Sequence, residues 1–167
     1  MNLGVLLQEQ GQFTDARTLF DAVVLGRTES LGASNPQTLD ALMNRATLLA
    51  QCGEKELAKQ QLETVVEAYS AQLGPCHEDT LMAKFNMGIV MRELGQMEQA
   101  TPVFASIATE LAEKFGGDHP RGTAGAQLCC LNLQGGDRRA PCHEVVRLHN
   151  QPHSVLRLLL HVPQSSA

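Results

Sequence analysis

The most constraining feature of this chain is a pattern that recurs three times at a constant spacing of 42 residues. Small residues fall where small residues stood one copy earlier, and large apolar residues fall on large apolar ones. The positions in register include Asn2, Asn44 and Asn86; Gly4, Ala46 and Gly88; Gly11, Gly53 and Gly95; Ala16, Ala58 and Ala100; and Phe20, Leu62 and Phe104. Such a period predicts a solenoid, in which each unit buries its apolar face against its neighbours.

Each period carries signals for two helices. In the second copy, Asn35 and Pro36 predict a cap and a first turn, and Gly53 predicts the turn into a second helix that begins near Lys55. The apolar residues expected to be buried are Leu39, Leu42, Ala46 and Leu49 in the first helix, and Leu57, Ala58, Leu62, Val65, Val66 and Tyr69 in the second. The third copy predicts helices from about Glu78 to Leu94 and from Met97 to Phe115. We therefore expect six helices, paired as antiparallel hairpins over residues 1–116.

The residues of these copies resemble a known family. Asn2, Leu3 and Gly4, the turn at Gly11, and then Phe13, Ala16 and Phe20 match the tetratricopeptide pattern, whose ordinary period is 34 residues. The repeat ends 73–77 and 115–120 are similar to the Leu-Gly-x-x-His-Pro joint of kinesin-light-chain-type repeats. The resemblance covers about residues 2–127. It implies an all-α fold, a right-handed α-solenoid of antiparallel helix pairs, and a role in binding other proteins.

The domain organisation follows from the same register. The array is expected over residues 1–127, with copies at about 1–35, 36–77 and 78–119 and the start of a degenerate fourth copy. Residues 128–167 form an atypical tail, expected to be partly helical or poorly ordered. Met1 aligns with Met43 and Phe85, in the middle of the first helix of a repeat, so Leu3, Leu6 and Leu7 should lack covering. We therefore expect either low stability in isolation or self-association through this end.

Composition excludes several classes of partner and location. A net charge of −5 argues against a nucleic-acid surface. No apolar stretch approaches the roughly 20 residues that span a bilayer, and the first residues lack the positive charge of a signal peptide. Five cysteines without a framework spacing do not indicate a disulfide scaffold. The sequence predicts a reduced, cytoplasmic protein with no membrane contact.

A polar stripe on the first helix of each copy is the candidate binding site. In the second copy it consists of Asp40, Asn44, Thr47 and Gln51, and in the third of Met82, Asn86, Ile89 and Glu93, beside Phe85; the first copy contributes Asn2, Val5 and Glu9. An amide can donate and accept hydrogen bonds at once, so a row of asparagines can pair with the backbone of an extended peptide. The resemblance assigns this role to Asn2, Asn44 and Asn86. The alternative is that these asparagines tie neighbouring helices together.

No catalytic or metal-binding pattern accompanies the stripe. The cysteines and histidines near the end, among them Cys129, Cys130, Cys142 and His143, fit no standard zinc-ligand spacing. His77 and His119 lie at repeat joints, where a structural or capping role is expected. We therefore predict a non-enzymatic scaffold or adaptor without cofactor or metal that binds a peptide or partner protein. The alternative is a structural spacer or oligomerisation segment without a peptide ligand.

Overall fold

The computed structural model describes residues 2–115, which form six α-helices and, within that range, no strand. The helices are α1 (Asn2–Glu9), α2 (Phe13–Leu31), α3 (Pro36–Gln51), α4 (Lys55–Leu73), α5 (Glu78–Glu93) and α6 (Met97–Phe115). Each helix packs chiefly against its neighbours in the chain. The prediction of an all-α solenoid of paired helices is confirmed. The expected fourth copy, the tail 128–167 and His119 lie outside the described residues.

Glycines at equivalent positions make the turns inside the hairpins. Gly11, Gly53 and Gly95 have φ angles of 75°, 89° and 76°. Side chains rarely adopt this left-handed backbone conformation, whereas glycine does so without steric cost. The chain can therefore reverse within a few residues at the same point of every copy, as the sequence predicts.

The joints between repeats are also built alike. The carbonyl of Gly32 accepts a hydrogen bond from Thr38 Oγ1 at 2.9 Å, and the carbonyl of Gly74 accepts one from Thr80 Oγ1 at 2.8 Å. Both threonines are fully buried. The hydroxyls therefore satisfy carbonyls that the ends of α2 and α4 would otherwise leave without a helical partner.

Side-chain caps begin the two helices that follow these joints. Asn35 Oδ1 accepts from the amide of Gln37 at 2.9 Å, with Pro36 at the first helical position. His77 Nδ1 accepts from the amide of Asp79 at 3.3 Å. The expected capping role of His77 is thus confirmed. Both caps satisfy an amide that has no partner within the helix.

The close approach of the two helices in each hairpin depends on small residues. A Cβ placed on Gly88 would lie 2.8 Å from Phe104 Cζ, and one on Gly4 would lie 3.0 Å from the ring of Phe20. In the second copy the corresponding pair is Ala46 with Leu62, and both are fully buried. A larger residue on one helix is therefore matched by a smaller one on its partner, which keeps the packing dense.

One apolar core runs through the second and third repeats, and a smaller cluster joins the first repeat to the second. The predicted faces of α3 and α4 lie in this core, with Leu42 and Val66 partly buried at its edge. The prediction for Leu57 was wrong, since its side chain is 44% exposed. In α4, Ala58 and Leu62 point inward, and Leu57 precedes them by about 100° of helical rotation, which turns it outward.

Polar contacts between repeats recur in the same 42-residue register. Arg17 on α2 forms an ion pair with Glu54, and Lys59 on α4 donates to Gln96 at 2.9 Å. These are equivalent positions one copy apart. Likewise, Gln72 donates to the carbonyl of Ser34 at 2.7 Å, and the equivalent Lys114 donates to that of Cys76 at 2.9 Å. The periodicity of the sequence is therefore also a periodicity of contacts between neighbouring units.

Candidate binding surface

The candidate surface lies on the side of the array formed by α1, α3 and α5, which we call the inner face. The first helices of successive repeats meet here: α3 contacts α5, and Gln8 Nε2 on α1 donates to Gln51 Oε1 on α3 at 2.8 Å. Asp40, Asn44 and Gln51 follow one another at four- and seven-residue steps, so they share one side of α3.

The side chain of Asn44 is buried, whereas the proposed pairing with a peptide backbone requires its amide to be open to a ligand. Its side chain is 1% exposed, and its Nδ2 donates to the carbonyl of Asp40 one helical turn earlier at 3.0 Å. A buried polar side chain without a partner costs free energy, and this bond within the helix meets part of that requirement. Asn44 therefore serves the packing of α3 in this structure, and a ligand would reach it only after the neighbouring helices moved apart.

Asn86, the equivalent residue on α5, is 8% exposed and lies beside a small cleft between α3, α4 and α5. The residues that line the cleft are Thr47, Leu62, Asn86, Ile89 and Val90, and its volume is about 10 Å³. A space of this size holds about one water molecule and no side chain of a ligand. The Thr47 hydroxyl donates to the carbonyl of Met43 at 2.9 Å, so it is also satisfied within its own helix.

The apolar members of the predicted site are part of the core. Met82, Phe85 and Ile89 are buried, and Phe85 makes an edge-to-face contact with Phe104 at a ring-centroid distance of 5.6 Å. A ligand would therefore reach Met82 and Phe85, which the sequence analysis includes in the site, only after the helices around them moved apart.

On α3 and α5, three polar members of the stripe keep part of their surface open: Asp40, Gln51 and Glu93. Each also has a contact inside the protein. Asp40 Oδ1 accepts from the Tyr69 hydroxyl at 2.7 Å, and Glu93 Oε2 lies 3.5 Å from Lys55 Nζ. The Asp40 carboxylate has about four lone-pair directions on two oxygens, so its contact with Tyr69 leaves capacity for another donor. These side chains are the accessible polar groups of the predicted site.

Two residues hold this surface in place through hydrogen bonds that the sequence analysis does not predict, although it does predict the burial of Tyr69. Tyr69 is fully buried, and its hydroxyl binds both Asp40 and the carbonyl of Pro36. Burial and then the hydrogen bond to Asp40 raise the pKa of Tyr69 above its usual range. Gln8 is buried beside Gln51. Neither residue recurs at the equivalent positions, which hold Arg27 and Ala50, so the repeat register could not identify them.

Residues 2–115 also bear on metal binding and membrane insertion. No cluster of three or more potential metal ligands lies in this part of the chain. In the same range, no helix combines the length and apolar character required to cross a membrane. The side chain of Asn2 lies outside the described part of the structure, so its expected role stays a prediction.

Comparison with known proteins agrees with this geometry. A tetratricopeptide-repeat family model matches residues 1–71. Two similar crystal structures show nearly identical TPR-like repeats of a protein from Podosopora anserina assigned as a kinesin light chain. One, a variant, has a TM-score of 0.66 and 22% identity, and covers 80% of this chain and 66% of that one. The other has a TM-score of 0.66 and 18% identity, and covers 89% of this chain and 80% of that one. No curated protein matches significantly.

The family model matches the residues of the first two hairpins. The two crystal structures resemble this chain in the stacked arrangement of its hairpins. The 42-residue period, the glycine turns and the threonine-bound joints recur in the third repeat, beyond the residues that the family model matches. Residues 1–71 therefore match tetratricopeptide repeats, and the described residues share their fold with the TPR-like repeats of the two crystal structures.

Proposed function

We propose that this chain is a non-catalytic scaffold or adaptor that binds a partner protein or an extended peptide along its inner face. Tetratricopeptide repeats are generally protein-interaction scaffolds. The observation that carries the proposal is the row of partly open polar groups, Asp40, Gln51 and Glu93, on helices that are otherwise mostly buried. Although each of these groups also contacts a neighbouring helix, its exposed part can meet a ligand backbone or side chain.

The charges of this surface favour one class of ligand. Asp40 and Glu93 are carboxylates on the same side of successive first helices, and Glu93 Oε2 lies 3.5 Å from Lys55 Nζ. We infer that peptides with basic side chains bind more strongly than acidic ones, since a partly desolvated carboxylate attracts a cation more strongly than it would in water. Such binding weakens with added salt, because screening reduces attraction between accessible charges.

The compartment is part of the same proposal. Cys52 and Cys76 are free thiols, and neither forms a disulfide within residues 2–115. Free thiols are usual in the reducing cytoplasm, where soluble partners would meet the inner face. We propose a cytoplasmic location on this basis.

The proposal is tested by selecting ligands from a phage-displayed random peptide library on the immobilised full chain. Isotherms for the selected peptides are then compared among Gln51→Ala, Glu93→Ala and the control Gln60→Ala, whose side chain is exposed on α4. Loss of one hydrogen bond to a ligand typically costs about 0.5–1.5 kcal/mol, so each inner-face substitution should weaken binding severalfold. Equal effects at Gln60, or no enrichment of peptides, would contradict a peptide-binding inner face.

The structural spacer remains a second candidate because one observation favours it. Asn44 is buried and bonded within its own helix, as expected if the repeated asparagines hold helices together. Melting curves and isotherms for the double substitution Asn44→Ala and Asn86→Ala separate the two candidates. A lower melting temperature with unchanged affinity for selected peptides supports the spacer, and weaker binding at unchanged helicity supports the adaptor.

A further inference from the structure

The side-chain amide of Asn86 is buried without a hydrogen bond from the rest of the protein. It is 8% exposed, and no group among residues 2–115 bonds to it. The equivalent Asn44 is 1% exposed and donates to the carbonyl of Asp40 at 3.0 Å. An amide has two N–H donors and an acceptor oxygen, and buried polar groups nearly always have a partner. Asn86 therefore indicates a bound polar molecule that the chain itself does not supply.

The cleft beside Asn86 offers a second polar group on the opposite helix. We call this space between α3, α4 and α5 the α3–α5 cleft. The Thr47 hydroxyl lines it from α3; the hydroxyl donates to the carbonyl of Met43, and its oxygen keeps lone pairs for a further donor. The other lining residues are apolar. The volume of about 10 Å³ matches one water molecule, and polar groups approach it from two successive repeats.

We propose that the α3–α5 cleft binds one ordered water molecule, held by Asn86 on α5 and Thr47 on α3. The water donates to Thr47 Oγ1, and it either accepts from Asn86 Nδ2 or donates to Asn86 Oδ1. A buried water typically makes about three hydrogen bonds, and a water-mediated bond is enthalpically nearly as good as a direct one. This water gives the Asn86 amide its missing partner and links the first helices of two neighbouring repeats.

Of the two junctions between repeats that the structure describes, the sequence favours this water at the second one. One period earlier, Val5 stands in place of Thr47 and Phe20 in place of Leu62. Both are buried in one apolar cluster. Valine has no hydroxyl, and the phenylalanine ring fills more space than leucine does. Asn44 at that junction bonds within its own helix. The first junction is therefore apolar at the place where the second one binds water.

A crystal structure of the full chain, at a resolution that shows ordered solvent, tests the proposal directly. We expect one solvent peak in the α3–α5 cleft, at about 2.7–3.2 Å from both Thr47 Oγ1 and the Asn86 amide. Asn44 is the internal control, and no solvent peak should lie between it and α1. Absence of the peak at Asn86 would overturn the proposal. So would an Asn86 amide that donates directly to the carbonyl of Met82, as Asn44 does to that of Asp40.

Two variants test the origin of the water in the same crystals. Thr47→Val places on α3 the residue that the first repeat has at this position, and it should remove the solvent peak. A peak that persists unchanged in Thr47→Val would show that α3 does not hold the water, and the proposal would be wrong. If this variant does not fold, the double variant Ala46→Gly with Leu62→Phe decides the result. It recreates the glycine–phenylalanine pair of the flanking repeats, so the ring should fill the cleft and exclude the water.

Discussion

The pairing of Gly88 with Phe104 gives the sharpest test of how the hairpins pack. In Gly88→Ala the new Cβ would lie 2.8 Å from Phe104 Cζ and 3.0 Å from Cε1. Carbon atoms are most stable about 3.5–4.0 Å apart, so the ring or the helix must move. Overpacking of a dense core typically costs about 1–3 kcal/mol.

Helix propensity opposes part of this cost. Alanine is more favourable than glycine inside a helix by about 1 kcal/mol. We therefore expect Gly88→Ala alone to lower the free energy of unfolding by roughly 0–2 kcal/mol. Phe104→Leu alone should lower it through a cavity, by less than the roughly 3–5 kcal/mol of a phenylalanine-to-alanine change.

The double variant recreates the pair found in the second repeat, where Ala46 packs in the same core as Leu62. Its loss of stability should be smaller than the sum of the two single losses by at least about 0.5 kcal/mol, because the leucine leaves room for the new Cβ. Urea unfolding of the full chain, followed by circular dichroism, gives all four values of the cycle. Additive effects would refute the steric explanation for glycine at this position.

Three further predictions concern the joints and the buried tyrosine. Thr80→Val should lower the unfolding free energy by about 0.5–1.5 kcal/mol, measured in urea, because the carbonyl of Gly74 loses the shorter of its two hydrogen bonds and keeps that from the His77 amide; an unchanged midpoint would contradict this. Asn35→Ala should cost about 0.5–2 kcal/mol through loss of the α3 cap, whereas Asn35→Ser should restore most of it. Because the pKa of Tyr69 is raised in the folded state, the folded chain holds this proton more tightly than the unfolded chain. Stability should therefore fall as pH rises above the ordinary tyrosine pKa of about 10, and Tyr69→Phe should reduce that slope.

The sequence predicted the helices well because their signals are local and repeated three times. Gly53 and Pro36 mark helix ends through backbone geometry that does not depend on the rest of the fold. The same register correctly predicted that Leu3 and Leu6 are exposed, since no earlier unit is present in the described residues to cover them.

The candidate site was harder to predict because accessibility depends on neighbouring helices. Periodicity places Asp40, Asn44 and Gln51 on one side of α3, but it does not tell how closely α1 and α5 approach that side. Asn44 is consequently buried while Gln51 stays partly open. Contacts such as Tyr69 with Asp40 occur in one repeat alone, so no register signals them.

The polar contacts between neighbouring repeats recur every 42 residues, and this limits how such a chain can change in length. Arg17 meets Glu54 in the way that Lys59 meets Gln96, and Gln72 meets the carbonyl of Ser34 as Lys114 meets that of Cys76. The groups that make these contacts therefore stand at equivalent positions in successive hairpins. Removal or duplication of one whole 42-residue unit would restore matching contacts at the new junction, whereas a deletion whose length is not a multiple of this unit would misalign the contacts there.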